Sequence, residues 1–285
     1  MPLTTTHKML ASALRNGYAV AAFNCENMEM IQAFIAACEE MKAPLILQTT
    51  PSTIRYASVE IFWANAAALA KNATIPVALH LDHGSSHKLA EDALAAGYTS
   101  IMIDGSHFPL EENIAFTKKA VDFCTKAAVP VEGELGRVGG KEDDLSADGT
   151  GYTDPDEAIR FVKETGVFSL AIGVGTAHGV YATKPVLKPE LISTLKEKLK
   201  IPLVLHGASG LEDEVVRDCI ARGICKVNIA TDFRIAYTQA VRDFLSKDPG
   251  CIDPKKFGEA GREAVKKIAL ERILVCGCQG RAGEG

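Results

Sequence analysis

Apolar runs of strand length recur along the chain at nearly even intervals, and between them the apolar positions fall at helical spacing. The runs are Ala19–Asn24, Pro44–Thr50, Pro76–His83, Ser100–Ser106, Pro130–Gly136, Ser169–Gly175, Pro202–Ser209 and Ile224–Asp232. Their apolar character is continuous rather than alternating, as in parallel strands covered on both faces. Proline opens four of them, a tolerated first position in a strand. The intervening segment Met28–Met41 carries Ile31, Phe34, Ile35 and Cys38 at helical spacing. Ile61–Lys71, Lys88–Ala96, Asn113–Ala128, Glu157–Thr165, Lys188–Lys198, Asp213–Arg222 and Arg234–Ser246 read the same way. Asp154-Pro155-Asp156 opens the Glu157 helix with a capping carboxylate and a first-turn proline.

Helices Thr5–Arg15 and Lys255–Leu274 lie outside this alternation. No linker or low-complexity tract divides the chain. Eight strand–helix units in sequence predict an α/β fold, a (β/α)8 TIM barrel with extra N- and C-terminal helices, as one domain over residues 1–285. One connection is long: Val138 to Gly151 is glycine-rich and acidic at Lys141-Glu142-Asp143-Asp144, and it follows the fifth strand. Long loops of this kind are usually functional or mobile.

Composition narrows the class. The chain has 285 residues, is 47% hydrophobic and carries a net charge of −5. No basic tract points to a nucleic-acid partner. No apolar run reaches bilayer length, so no membrane span is expected. Met1-Pro2-Leu3-Thr4 begins without a basic and apolar leader, and a cytoplasmic location follows. The eight cysteines are scattered, with no paired zinc-ribbon spacing, and Cys276-Gly277-Cys278 lacks the spacing of a thioredoxin motif.

Candidate chemistry gathers where the strands end. Leu79-His80-Leu81-Asp82-His83, Ser100-Ile101-Met102-Ile103-Asp104, Val131-Glu132-Gly133-Glu134 and Pro202-Leu203-Val204-Leu205-His206 each finish an apolar run with ionisable groups. His178 follows another such run. In a parallel barrel these ends open on one face, the catalytic one. His83, His178 and His206 together there would make an open zinc site, with room for water or substrate; taken singly, each could be a hydrogen-bonded core histidine. His80 lies mid-strand and reads as structural, and His7, His87 and His107 have no comparable placement. Asp82, beside a ligand, can shuttle a proton or orient a histidine. Glu132 and Glu134 share parity on strand five; Lys226 is a candidate partner for the first, while the second is better placed for metal. Gly207-Ala208-Ser209-Gly210 and Asn228-Ile229-Ala230-Thr231 each precede a helix, at the strands where barrels hold phosphate.

These motifs resemble the class II, zinc-dependent ketose-bisphosphate aldolases, essentially from end to end. The resemblance rests on Tyr18-Ala19-Val20-Ala21-Ala22-Phe23-Asn24, His80-Leu81-Asp82-His83-Gly84, Met102-Ile103-Asp104-Gly105-Ser106-His107, Glu134-Leu135-Gly136 with Gly139-Gly140, Gly175-Thr176-Ala177-His178-Gly179, His206-Gly207-Ala208-Ser209-Gly210 and Lys226-Val227-Asn228. It implies that His83, His178 and His206 hold catalytic Zn2+, with Asp104 and Glu134 near alternative or second metal positions. It implies that Asp82 exchanges a proton with the C4 hydroxyl and that Glu142 transfers one at the triose carbon. Asn228 would contact the enediolate. Gly179, Gly207, Ser209 and Thr231 would line the triose phosphate site with Lys184 close by and a monovalent cation, Na+ or K+, nearby.

Within the family, Tyr152-Thr153-Asp154-Pro155 and Cys276-Gly277-Cys278-Gln279-Gly280-Arg281-Ala282 are most similar to the tagatose-1,6-bisphosphate aldolases. Gly84-Ser85-Ser86 instead matches fructose-1,6-bisphosphate and 6-phospho-5-dehydro-2-deoxygluconate aldolase relatives. The resemblance implies a phosphorylated sugar as partner, a homodimer or homotetramer, and an accessory aldolase subunit as a further partner. Two rivals stay open: a zinc-dependent barrel hydrolase, against which the Ser209 and Asn228 segments speak, and a non-catalytic aldolase-like subunit, against which the retained histidines, Asp82 and Glu142 speak.

Overall fold

The computed structural model describes residues 3–142, 145–147, 151–179, 181 and 185–284; for 141, 142 and 145–147 it describes the backbone. The strands are β1 (Val20–Asn24), β2 (Leu45–Thr49), β3 (Val77–Gly84), β4 (Ser100–Ile103), β5 (Val131–Leu135), β6 (Gly139–Glu142), β7 (Leu145–Ala147), β8 (Ser169–Ile172), β9 (Ala177–His178), β10 (Leu203–Leu205) and β11 (Ile224–Ile229). The helices are α1 (Thr6–Asn16), α2 (Met28–Met41), α3 (Pro51–Ala57), α4 (Val59–Ala70), α5 (His87–Ala96), α6 (Leu110–Lys126), α7 (Pro155–Thr165), α8 (Pro189–Leu199), α9 (Asp213–Arg222), α10 (Thr231–Lys247) and α11 (Pro254–Cys276).

β1, β2, β3, β4, β5, β8, β10 and β11 pair in parallel in that order, and β11 closes onto β1. Every residue of these strands is buried, which explains why they read as unbroken apolar runs. Met102, Ala171 and Val204 form a small apolar plug of their own, apart from the main core between strands and helices. α1 is tied to the N-terminal ends of the strands: Thr4 N–H donates to Val77 O at 2.8 Å and Thr6 Oγ1 to Ser100 Oγ at 3.2 Å. Among the described residues no helix is long and apolar enough to cross a membrane.

The barrel and both flanking helices agree with the sequence reading, and three local readings change. The helix expected at Ile61–Lys71 begins at Val59 and is preceded by the separate α3. Ser58, at φ 71, breaks the two apart, while Pro51 and the Thr50 side chain, which accepts from Thr53 N–H, start the short one. The connection read as a loop from Val138 to Gly151 contains the antiparallel pair β6–β7, and β6 also pairs in parallel with β9. The strands end earlier than their apolar runs, so Asp104, His206 and Ser209 sit on the loops just beyond.

Candidate active site

Successive strand residues point to opposite faces, yet Asp82 and His83 both reach the barrel mouth. His83 has φ 49, and the β3–β4 register shifts between Leu81 and Gly84. This local break turns two consecutive side chains into one site. It also needs Gly84, where a Cβ would run into Met102 O. Non-glycine residues held at positive φ cost energy and gather at functional sites.

His83 and His206 are each fixed from behind by a carboxylate. His83 Nδ1 lies 2.8 Å from Asp104 Oδ2, and His206 Nε2 lies 3.0 Å from Glu132 Oε1. An ionised carboxylate only accepts hydrogen bonds, so these ring nitrogens carry the protons. The opposite nitrogens, His83 Nε2 and His206 Nδ1, then present lone pairs to each other at 2.9 Å. Two acceptors at that distance repel unless a proton or a cation lies between them. His178 completes the group: its ring centroid is 5.1 Å from that of His83 and 5.9 Å from that of His206. One ligating atom from each of the three histidines falls within 4.8 Å of the others. The same holds for His83, Asp104 and Glu134. The donor set therefore fits a zinc ion, which takes neutral imidazoles and a fourth, open position.

Burial and charge set the carboxylates apart. Burial raises the Asp104 carboxyl, but the hydrogen bonds from His83 and from Ser106 N–H outweigh it and hold it well below the ordinary range. Burial likewise raises Glu132, and Lys226 with the His206 hydrogen bond brings it well below. Glu134 goes the other way: burial, followed by the Asp104 charge, pushes it well above its usual value. Its Oε2 is buried with no hydrogen-bond partner among the described residues, 3.9 Å from His83 Nδ1 and 3.7 Å from His206 Nδ1. A bound cation would satisfy that oxygen.

Asp82 sits opposite, held by amides. Asn24 Nδ2 donates to its Oδ2 at 2.8 Å, Gln48 Nε2 to the same oxygen at 3.4 Å, and Asn228 Nδ2 to Oδ1 at 3.0 Å. Gln48 Nε2 also donates to Asn24 Oδ1 at 2.8 Å. Asn228 Nδ2 also lies 3.2 Å from His206 Nε2, so one side chain stands between the Asp82 and histidine halves of the site. Asn24 and Gln48 were missed as site residues in the sequence. Their signal was present, since each is a polar residue at or near the end of an apolar strand.

The far end of the site is made of backbone. Ala230 and Thr231 N–H groups, at the start of α10, both donate to Ser209 Oγ at 3.1 Å. A hydroxyl thus stands where an anion would be favoured, at the N-terminus of a 17-residue helix. Gly207, at φ 64, lets this loop approach the one before it: a Cβ would lie 2.6 Å from Ala177 O. Tyr181, also missed in the sequence, ties the two loops together, its hydroxyl accepting from Ala177 N–H at 2.9 Å and donating to Gly207 O at 2.7 Å. Gly179, at φ 87, follows His178.

Glu142 ends β6 opposite Leu145, and its side chain lies outside the described part. The β6 backbone is nonetheless tied to a candidate ligand, because Gly140 pairs with His178. Lys184 lies outside the described residues.

Residues 4–281 match the family model for class II fructose-bisphosphate aldolase. The YdjI aldolase of Escherichia coli K12 is 38% identical, with a TM-score of 0.88 over 98% of this chain and 99% of that one. A protein from Coccidioides immitis, named as a candidate fructose-1,6-bisphosphate aldolase, is 30% identical, with a TM-score of 0.89 over 96% of each chain. The fructose-bisphosphate aldolase of Campylobacter jejuni, at 22% identity, shares the fold with a TM-score of 0.83 over 98% of this chain and 96% of that one. With a closed parallel barrel, histidines converging at its mouth and a match along nearly its whole length, the chain belongs to the class II fructose-bisphosphate aldolase family.

Proposed function

We propose that this protein is a zinc-dependent aldehyde-lyase that reversibly cleaves a ketose 1,6-bisphosphate, tagatose 1,6-bisphosphate, to dihydroxyacetone phosphate and glyceraldehyde 3-phosphate. The observation that carries the reading is the convergence of His83, His178 and His206, whose ligating atoms fall within 4.8 Å of one another, beside an Asp82 held by Asn228 Nδ2 at 3.0 Å. His83, His178 and His206 would hold the zinc, which when bound would supply the Lewis acidity that spreads the charge left when the C3–C4 bond breaks. Asp82 takes the proton of the C4 hydroxyl as C4 becomes a carbonyl and the bonding electrons stay on C3. Asn228 donates toward the developing charge. Glu142 then gives a proton to the former C3, which becomes the hydroxymethyl carbon of dihydroxyacetone phosphate. Gly179, Lys184, Gly207, Ser209 and Thr231 hold the triose phosphate beside a monovalent cation, and Asp104 and Glu134 offer an alternative metal position. The enzyme acts in the cytoplasm as a homodimer or homotetramer.

The sugar rests on similarity of the Tyr152 and Cys276 segments to tagatose-bisphosphate aldolases, and tagatose and fructose bisphosphates differ only at C4. A retro-aldol assay on both sugars tests the assignment. Faster turnover of tagatose 1,6-bisphosphate is expected. Preference for the fructose isomer would reassign the substrate, and turnover of neither would favour a non-catalytic aldolase-like subunit.

A further inference from the structure

The barrel interior holds an ion pair that the proposed reaction does not use. Lys226 Nζ donates to Glu132 Oε2 at 2.9 Å, with both residues buried. Burying two charges is expensive and rarely stabilises a protein more than packed apolar residues would. The pair is part of a longer line. Lys226 Nζ is 3.4 Å from His80 Nε2, His80 Nδ1 is 2.7 Å from Ser100 Oγ, and Ser100 accepts from Thr6 on α1. Lysine has only donors, so His80 Nε2 accepts and its Nδ1–H donates to Ser100. The line thus fixes the place of the ammonium, and the ammonium fixes Glu132. The other Glu132 oxygen meets His206 Nε2.

We propose that Glu132, clamped by Lys226, is a positioning residue for the metal: it holds His206 as the Nε2–H tautomer and so presents Nδ1 to zinc. Without it, His206 could carry its proton on Nδ1 and turn an N–H toward the metal. Carboxylates behind ligating histidines commonly act this way, and their loss costs about 10–100-fold in metal affinity. The inference rests on the zinc reading above.

The test uses the full-length chain labelled with 15N-histidine, with zinc alone as the probe. In metal-free wild type, two-bond 1H–15N spectra should show His206 protonated at Nε2, assigned by its disappearance in His206→Asn. Zinc should shift the Nδ1 resonance. Glu132→Leu should populate the Nδ1–H form and raise the zinc Kd, measured by chelator competition, about 10–100-fold. The double variant Glu132→Gln/Lys226→Met should recover most of that affinity, because the amide oxygen still accepts from Nε2–H. A wild-type His206 protonated at Nδ1 overturns the proposal, and this holds even where Glu132→Leu does not fold. So does a folded Glu132→Leu protein whose zinc Kd is within twofold of wild type. Wild type that binds no zinc removes the zinc reading as well, whereas zinc binding with the wrong tautomer removes only this one.

Discussion

Asn228 Nδ2 donates to Asp82 Oδ1 at 3.0 Å while lying 3.2 Å from His206 Nε2, so the candidate proton-transfer group and a candidate metal ligand share one neighbour. Among the described residues, the side-chain donors to Asp82 are amide N–H groups. In Asp82→Asn one carboxylate oxygen becomes an NH2 that must face such a donor. Turnover should fall about 10²–10⁴-fold, the usual loss for a general acid–base. Stability should also fall by about 1–3 kcal/mol, because a buried donor is left unsatisfied. Zinc content should be kept. Steady-state kinetics, metal analysis and urea unfolding together check this, and near-normal turnover with normal zinc would leave Asp82 as an orienting group only.

Glu142 ends a strand whose Gly140 pairs with His178, which brings its backbone toward the candidate metal site. Glu142→Ala should slow proton exchange between dihydroxyacetone phosphate and solvent by about 10²-fold or more, with little change in substrate binding. NMR in heavy water reads the exchange directly. An unchanged rate would reduce the hairpin to a cover.

Tyr181 joins the His178 loop to the Gly207 loop through a single hydroxyl. Tyr181→Phe keeps the ring and removes both bonds, each worth about 0.5–1.5 kcal/mol. The KM for the bisphosphate should rise severalfold while zinc affinity stays near wild type. An unchanged KM would show that the two loops hold their places without the clamp.

Acid should destabilise the metal-free protein through His80. Burial, then the Lys226 charge, holds its imidazole well below the ordinary value of 6.5. The unfolded chain therefore binds the extra proton first, and stability rises with pH. The contribution of His80 is complete above about pH 6.5 and is lost as pH falls from there toward the folded-state value, by at most about 1.4 kcal/mol per pH unit. His206, lowered chiefly by burial, adds in the same direction. Urea unfolding between pH 7.5 and 5.5 should be less pH-dependent in His80→Gln than in wild type. Equal slopes would mean that His80 titrates alike in both states.

The barrel was legible because strands buried on both faces must be apolar throughout, and because Pro, Gly and capping residues such as Asp154 punctuate the units. His83, His206 and Glu134 were legible for a related reason: ionisable groups at the ends of such runs need partners. The α3 helix was not, since seven residues set by Thr50 and Pro51 carry too little apolar periodicity. Nor was the positive φ at His83, which depends on a register shift against β4 rather than on local composition. Asn24 and Gln48 showed the same polar-at-strand-end signal, but an amide does not suggest chemistry until the carboxylate it holds is seen. Which nitrogen of His206 faces the site is decided by Glu132, 74 residues away along the chain.

The account turns on zinc between His83, His178 and His206, and zinc titration of chelator-stripped protein tests that directly, with retro-aldol turnover and thermal unfolding followed together. Turnover should rise and saturate at one zinc per chain, while stability should keep climbing with free zinc, by about 2.7 kcal/mol once free zinc reaches a hundredfold the Kd. His206→Ala should lose affinity and turnover together. Full turnover in the stripped protein, or tight stoichiometric zinc in His206→Ala, would contradict the account.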